Sequence, residues 1–167
     1  MNPARGAAIV LLALSLPDGA AGVEPEPTPP PRGARLTLAL RLPMAIATQR
    51  LGDPRCAAVL DHFKDRDGAP LKAVLTPRSR TPAEHLQGLT FVAESSGPCR
   101  RGPVMAWTTP GASRVVICIE HFERISRHNP RIAATVLIHE MLHTLGLPER
   151  PPSSESITSG VVERCGR

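Results

Sequence analysis

The segment from Asn129 to Gly146 constrains this chain more than any other. Asn129-Pro130 predicts a helix start, because an asparagine side chain caps free N–H groups and proline is pre-set for the first helical position. Gly146 predicts its end. At 100° per residue, Leu137, Ile138, Met141, Leu142 and Leu145 form one broad stripe, while Ile132, Val136, His139 and His143 fall on the opposite side. A helix that is apolar nearly all round belongs inside a fold, so the remaining elements must wrap it. With 167 residues the chain can do so as one domain. The core has to be aliphatic, since there is no tyrosine, one tryptophan and three phenylalanines.

The rest of the pattern predicts an α+β fold: a small, mostly antiparallel sheet packed by this helix and a C-terminal one. Leu36, Leu38, Leu40 and Leu42 alternate, which predicts a half-buried strand over Arg35–Leu42. Asp53-Pro54 opens a helix to about Lys64 that buries Ala57, Leu60 and Phe63. Leu71–Thr76 reads as a second strand. Thr81-Pro82-Ala83-Glu84 reads as a capping box before a short helix. Leu89–Ala93, Val104–Thr108 and Arg114–Glu120 read as further strands, the last two joined by the turn Thr109-Pro110-Gly111. After Pro151-Pro152, Ser153 or Ser154 opens a last helix toward Cys165, with Ile157, Val161 and Cys165 on one face.

Residues 1–22 read as a secretory signal peptide, with Arg5 before the apolar stretch Ala7–Leu16 and small residues at Ala20-Ala21-Gly22. Residues 23–34 form a proline-rich linker, which leaves 35–167 as the folded domain. The expected location is secreted or periplasmic, with no membrane attachment once the signal is removed. Cys56, Cys99, Cys118 and Cys165 suit an oxidising compartment. Four cysteines allow three pairings. The preferred one is Cys99–Cys118, flanking the expected hairpin, with Cys56–Cys165, tying an early helix to the C-terminus. The formal charge of +5 comes almost entirely from scattered arginines, Lys64 and Lys72 being the lysines. No block of like charge and no interleaved aromatics accompany it, which argues against a nucleic-acid partner.

The strongest chemical signal is His139-Glu140-Met141-Leu142-His143. Histidines four apart share a helix face and can grip one metal ion. Glu140, about 100° round the helix, can serve the chemistry without being a ligand. Zinc lowers the pKa of a bound water toward ~7, and a neighbouring carboxylate can take its proton. The other histidines offer less: His62 and His85 read as surface residues. Trp107 reads as core or cleft wall.

The stretch resembles the zincin metallopeptidases. Its continuation through Gly146 and Glu149 follows the metzincin-type spacing, with Glu149 where a third histidine ligand stands in that pattern. The resemblance implies a zincin-like fold for 35–167, Zn2+ held by His139, His143 and Glu149, and Glu140 as general base. The expected function is hydrolysis of a peptide or protein substrate. The motif followed by Pro151-Pro152-Ser153-Ser154 also resembles a small family of exported bacterial proteins. The chain departs from the zincin pattern in having no methionine after Met141 and no tyrosine to steady an oxyanion. His121 or His128 could stand in for that tyrosine. Glu163 is a rival third ligand by its spacing from His143. The alternative functional reading is a non-catalytic exported binding or structural protein with a vestigial or purely structural zinc site, and a third is a metal-free module braced by disulfides.

Overall fold

A computed structural model describes residues 30–166 of the chain. The signal-peptide reading, residues 23–29 of the linker and Arg167 lie outside the described residues. The architecture is α+β, with helices wrapped around a buried helix and a small mixed sheet.

The chain opens with helix α1, Arg32–Leu51, where alternating leucines predicted a strand. The helix begins inside the predicted linker and makes a second period visible. Ala39, Pro43, Ala47 and Leu51 recur every four residues and are its buried positions. Leu38 and Leu42 stand in solvent at 66% and 55% exposure. Leucine and alanine favour helix over strand, and one face of α1 needs only small side chains to lie close to its neighbours. Pro43 within the helix removes the N–H that would have bonded the Ala39 carbonyl. The Ser126 hydroxyl donates to that carbonyl instead, at 2.8 Å.

The predicted helix from Pro54 is broken into two single turns, α2 (Pro54–Ala57) and α3 (Val59–His62), with Phe63 already extended. Leu60 and Phe63 are buried, and Ala57 is half-buried. The predicted strand Leu71–Thr76 is instead helix α4, Lys72–Leu75, followed by a 3-10 turn over Thr76–Arg78. Leu71 and Leu75 are its buried pair, at helical spacing. Helix α5, Pro82–Gln87, starts with the capping box in full, Thr81 and Glu84 each satisfying the other's backbone N–H.

The sheet holds β1 (Thr90–Glu94), β2 (Ala106–Thr108) and β3 (Arg114–Cys118) in the order β1-β3-β2. It is mixed rather than mostly antiparallel: β1 runs parallel to β3, and β2 antiparallel to it. The chain reverses once between β1 and β2 and again at the hairpin, so β3 ends up running with β1. Two strands expected upstream are helices, which leaves the sheet this small. At Cys118 the strand passes directly into α6, Ile119–His128, so the helix takes the two residues predicted to prolong the strand.

Helix α7, Pro130–Thr144, is the axis of the fold, and Asn129 caps it by accepting from the Ile132 N–H. It is buried on every side from Leu137 to Thr144 and packs on α1, α6, β2, β3 and the last helix, α8 (Ser154–Cys165). Gly160 lets α8 come close: a Cβ there would lie 2.8 Å from the Phe63 ring. Two disulfides, Cys56–Cys165 and Cys99–Cys118, brace the structure and fit an oxidising compartment. The first spans 109 residues, a loop whose closure is worth roughly 4–5 kcal/mol in the chain-entropy model. No helix among the described residues is long and apolar enough to cross a membrane.

Candidate metal centre

His139 and His143 lie one turn apart on α7, and their rings meet edge-on with the two Nε2 atoms 3.1 Å apart. After α7 the chain turns at Gly146, whose φ of 102° lies where residues with a Cβ are strained. That turn brings two groups back to His143. The Leu147 carbonyl accepts from Nδ1 at 2.8 Å, and the Glu149 carboxylate lies 2.9 Å from Nε2. On the other ring, Nδ1 of His139 pairs with the Thr158 hydroxyl of α8 at 3.0 Å.

The Leu147 contact fixes what the two nitrogens of His143 can do. A carbonyl only accepts, so Nδ1 of His143 carries the hydrogen, and neutral His143 presents a lone pair at Nε2. That lone pair meets a second imidazole nitrogen and a carboxylate oxygen. With the His139 hydrogen on Nδ1, donated to the Thr158 hydroxyl, three electron-pair donors converge, and their ligating atoms all lie within 4.8 Å of one another. A proton reconciles one pair of them; a divalent cation reconciles all three. Imidazole nitrogens at about 2.0–2.1 Å from one tetrahedral ion sit roughly 3.3 Å apart, close to the spacing seen here. The His/His/Glu group can bind a metal ion.

Glu140 points the same way chemically. It is 6% exposed, and its Oε2 is buried without a hydrogen-bond partner among the described residues. Burial, with a smaller push from the Glu149 charge, raises its carboxyl to about 8. Burial and the neighbouring His143 push the His139 imidazole down to about 4. A neutral His139 is the form that can ligate a metal.

The group lines a cavity of about 490 Å³ that also has an apolar wall, from Pro98, Pro103, Val104, Ala106 and Trp107. The Cys99–Cys118 bridge anchors that wall where β3 ends. Trp107 is thus cleft wall, and its Nε1 is a second buried atom with no partner among the described residues, a cost of about 1–3 kcal/mol.

The structure brings His139, Glu140, His143 and Glu149 together and leaves the other candidates elsewhere. Glu163 is 75% exposed and pairs with Arg164, because the opposite face of α8 carries Ile157, Val161 and Cys165 inward. His121, half-buried on α6, and His128, exposed at its end, are not among the residues lining the cavity. His85, read from sequence as a surface residue, is buried, with Nε2 2.9 Å from the Thr144 hydroxyl. Burial and the Arg80 and Arg78 charges depress its pKa. Sequence reasoning missed Thr158 and the Leu147 carbonyl, whose roles exist only once the chain has turned at Gly146. No protein-family model, curated protein or solved structure matches the chain.

Proposed function

We propose that this chain is an exported, zinc-dependent, metallopeptidase-like hydrolase. The observation that carries this reading is the convergence of His139, His143 and Glu149 beside a buried carboxyl with an unpartnered oxygen. His139, His143 and Glu149 would hold the metal. Zinc bound there supplies a Lewis acid that polarises a scissile carbonyl and makes water acidic near neutral pH.

The chain's own residues do the rest. Thr158 and the Leu147 carbonyl hold the two imidazoles in orientation through their Nδ1 atoms. Glu140 takes the proton of the attacking water and delivers it to the departing amine nitrogen as the C–N bond breaks. The apolar wall excludes bulk water and offers a surface for a substrate side chain.

The decisive experiment replaces Glu140 by Gln. The variant should retain one zinc per chain by metal analysis and lose hydrolysis of a peptide library. Full activity in that variant removes the mechanism.

One observation favours a second reading, a purely structural zinc in a binding protein. The chain has no tyrosine, and the cavity lining includes no histidine beyond the two candidate ligands. Stoichiometric zinc without turnover in the unaltered protein is the outcome that selects it.

A further inference from the structure

Where the C-terminal end of α1 meets the first turn of α7, a pocket gathers positive charge without a counter-charge. Its volume is about 430 Å³, and Ile46, Gln49, Arg50, Asp53 and Arg131 line it. Among the described residues, neither the Arg50 nor the Arg131 guanidinium lies within 4.0 Å of a carboxylate. Asp53, the acid in the lining, is engaged elsewhere. Its Oδ1 accepts the Arg55 N–H at 2.8 Å, capping α2, and lies 3.8 Å from the Arg55 Nε.

Arg50 is held in a definite pose. Its Nη1 donates to the Arg131 carbonyl and to the Thr135 hydroxyl, each at 3.2 Å. The Thr135 hydroxyl donates its own hydrogen to that same carbonyl at 3.1 Å, which leaves its oxygen free to accept. Anchoring through Nη1 leaves the Nε–Nη2 edge of the fork, whose parallel N–H groups suit two oxygens of one oxyanion. Neither atom has a partner among the described residues, and neither is sealed from solvent. Burial and the Arg131 charge hold the Arg50 pKa below the usual arginine value, as befits a cation short of a counter-charge. Arg131 adds a second guanidinium from the first turn of α7, where the helix dipole is positive.

We propose that Arg50 and Arg131 bind a doubly charged oxyanion, a phosphate or phosphate monoester, with the Gln49 amide beside them as a further donor. Two guanidinium groups call for a dianion. A carboxylate leaves one of them uncompensated, whereas a phosphate monoester at neutral pH carries between about 1.5 and 2 negative charges on three acceptor oxygens. The site stands apart from the metal centre, since Arg131 precedes His139 by eight residues, about 12 Å of helical rise. It neither needs nor tests the hydrolase reading.

Chelator-treated protein, in which no metal competes for phosphate, is titrated by calorimetry with inorganic phosphate at constant ionic strength and mildly alkaline pH. Sulfate serves as a second dianion and acetate as a monoanion. The expected result is saturable one-to-one binding of phosphate and sulfate, with acetate at least about tenfold weaker. Arg131 is exposed, and its carbonyl, not its side chain, anchors Arg50. Arg131→Gln should therefore fold and weaken phosphate binding about tenfold or more, the loss of a charge-assisted contact. Arg50→Lys keeps the charge without the fork and should weaken it by a similar factor. Phosphatidic acid vesicles identify the source of the group. Retention on them that Arg131→Gln abolishes assigns it to a lipid headgroup, and phosphate binding without retention assigns it to a soluble monoester.

No saturable binding of phosphate or sulfate at millimolar concentration, by calorimetry or by thermal shift, overturns the proposal. So does acetate bound as tightly as phosphate, or an unchanged phosphate affinity in Arg131→Gln. An Arg50→Lys variant that binds phosphate like the unaltered protein overturns the bidentate role of Arg50. Arg131→Gln decides the matter even if Arg50→Lys does not fold.

Discussion

The Thr158 hydroxyl lies 3.0 Å from Nδ1 of His139, so a residue of α8 orients a candidate metal ligand of α7. Hydrogen bonds to the far nitrogen of a ligating imidazole typically set metal affinity by about 10–100-fold. Thr158→Val keeps the shape and removes the hydroxyl. It should weaken zinc binding within that range in competition with a chelator, while Thr158→Ser restores most of it. Unchanged affinity in the valine variant would show that packing alone holds the ring.

The metal-free protein should have a stability optimum in pH. Unfolded, His139 takes a proton near 6.5, whereas folded it resists until about 4. Between those values the unfolded chain binds more protons, so this residue's stabilising contribution is lost as pH falls. Glu140 works the other way. Its folded carboxyl keeps a proton up to about 8, against 4.5 when unfolded, so its contribution is lost as pH rises through that window. Thermal midpoints of chelator-treated protein should therefore peak where the two windows overlap, between 4.5 and 6.5. Glu140→Gln should flatten the alkaline side and let the acid-side rise continue up to 6.5. An unchanged alkaline slope in that variant would assign the loss to another group.

Ser126 and Pro43 are coupled through the Ala39 carbonyl, which proline deprives of its helical partner and serine supplies with another. Ser126→Ala should cost about 1 kcal/mol in urea unfolding, because the carbonyl is left unpaired. In a Pro43→Ala background the residue at that position has an N–H to offer, and the cost of the serine change should shrink. Additivity in this double-mutant cycle would remove the coupling.

Sequence alone reveals most where the determinants are local. Asn129-Pro130 and Gly146 bracket α7 within a residue or two, and Thr81 with Glu84 marks α5, because caps act over one helical turn. The hairpin of β2 and β3 follows from its Pro110-Gly111 turn. Helix α1 misleads because its buried face is made of Ala39, Pro43 and Ala47, small residues that carry little hydrophobic signal. Its four alternating leucines imitate a strand meanwhile. His85 misleads for another reason: its partner, Thr144, is 59 positions away, beyond any local pattern. Within the site, the His139–Glu140–His143 spacing is legible because a helix turns its own residues into neighbours. Thr158 is not, since its contact with His139 depends on how α8 is laid across α7.

The Cys56–Cys165 bridge fastens the far end of α8, the helix that carries Thr158, to α2 near the start of the fold. The last cysteine of the chain thereby acts as a latch on the orientation of a candidate metal ligand. The orientation of His139 thus depends on a helix whose last turn is held covalently to α2, so a bridge outside the cavity helps to fix a ring inside it.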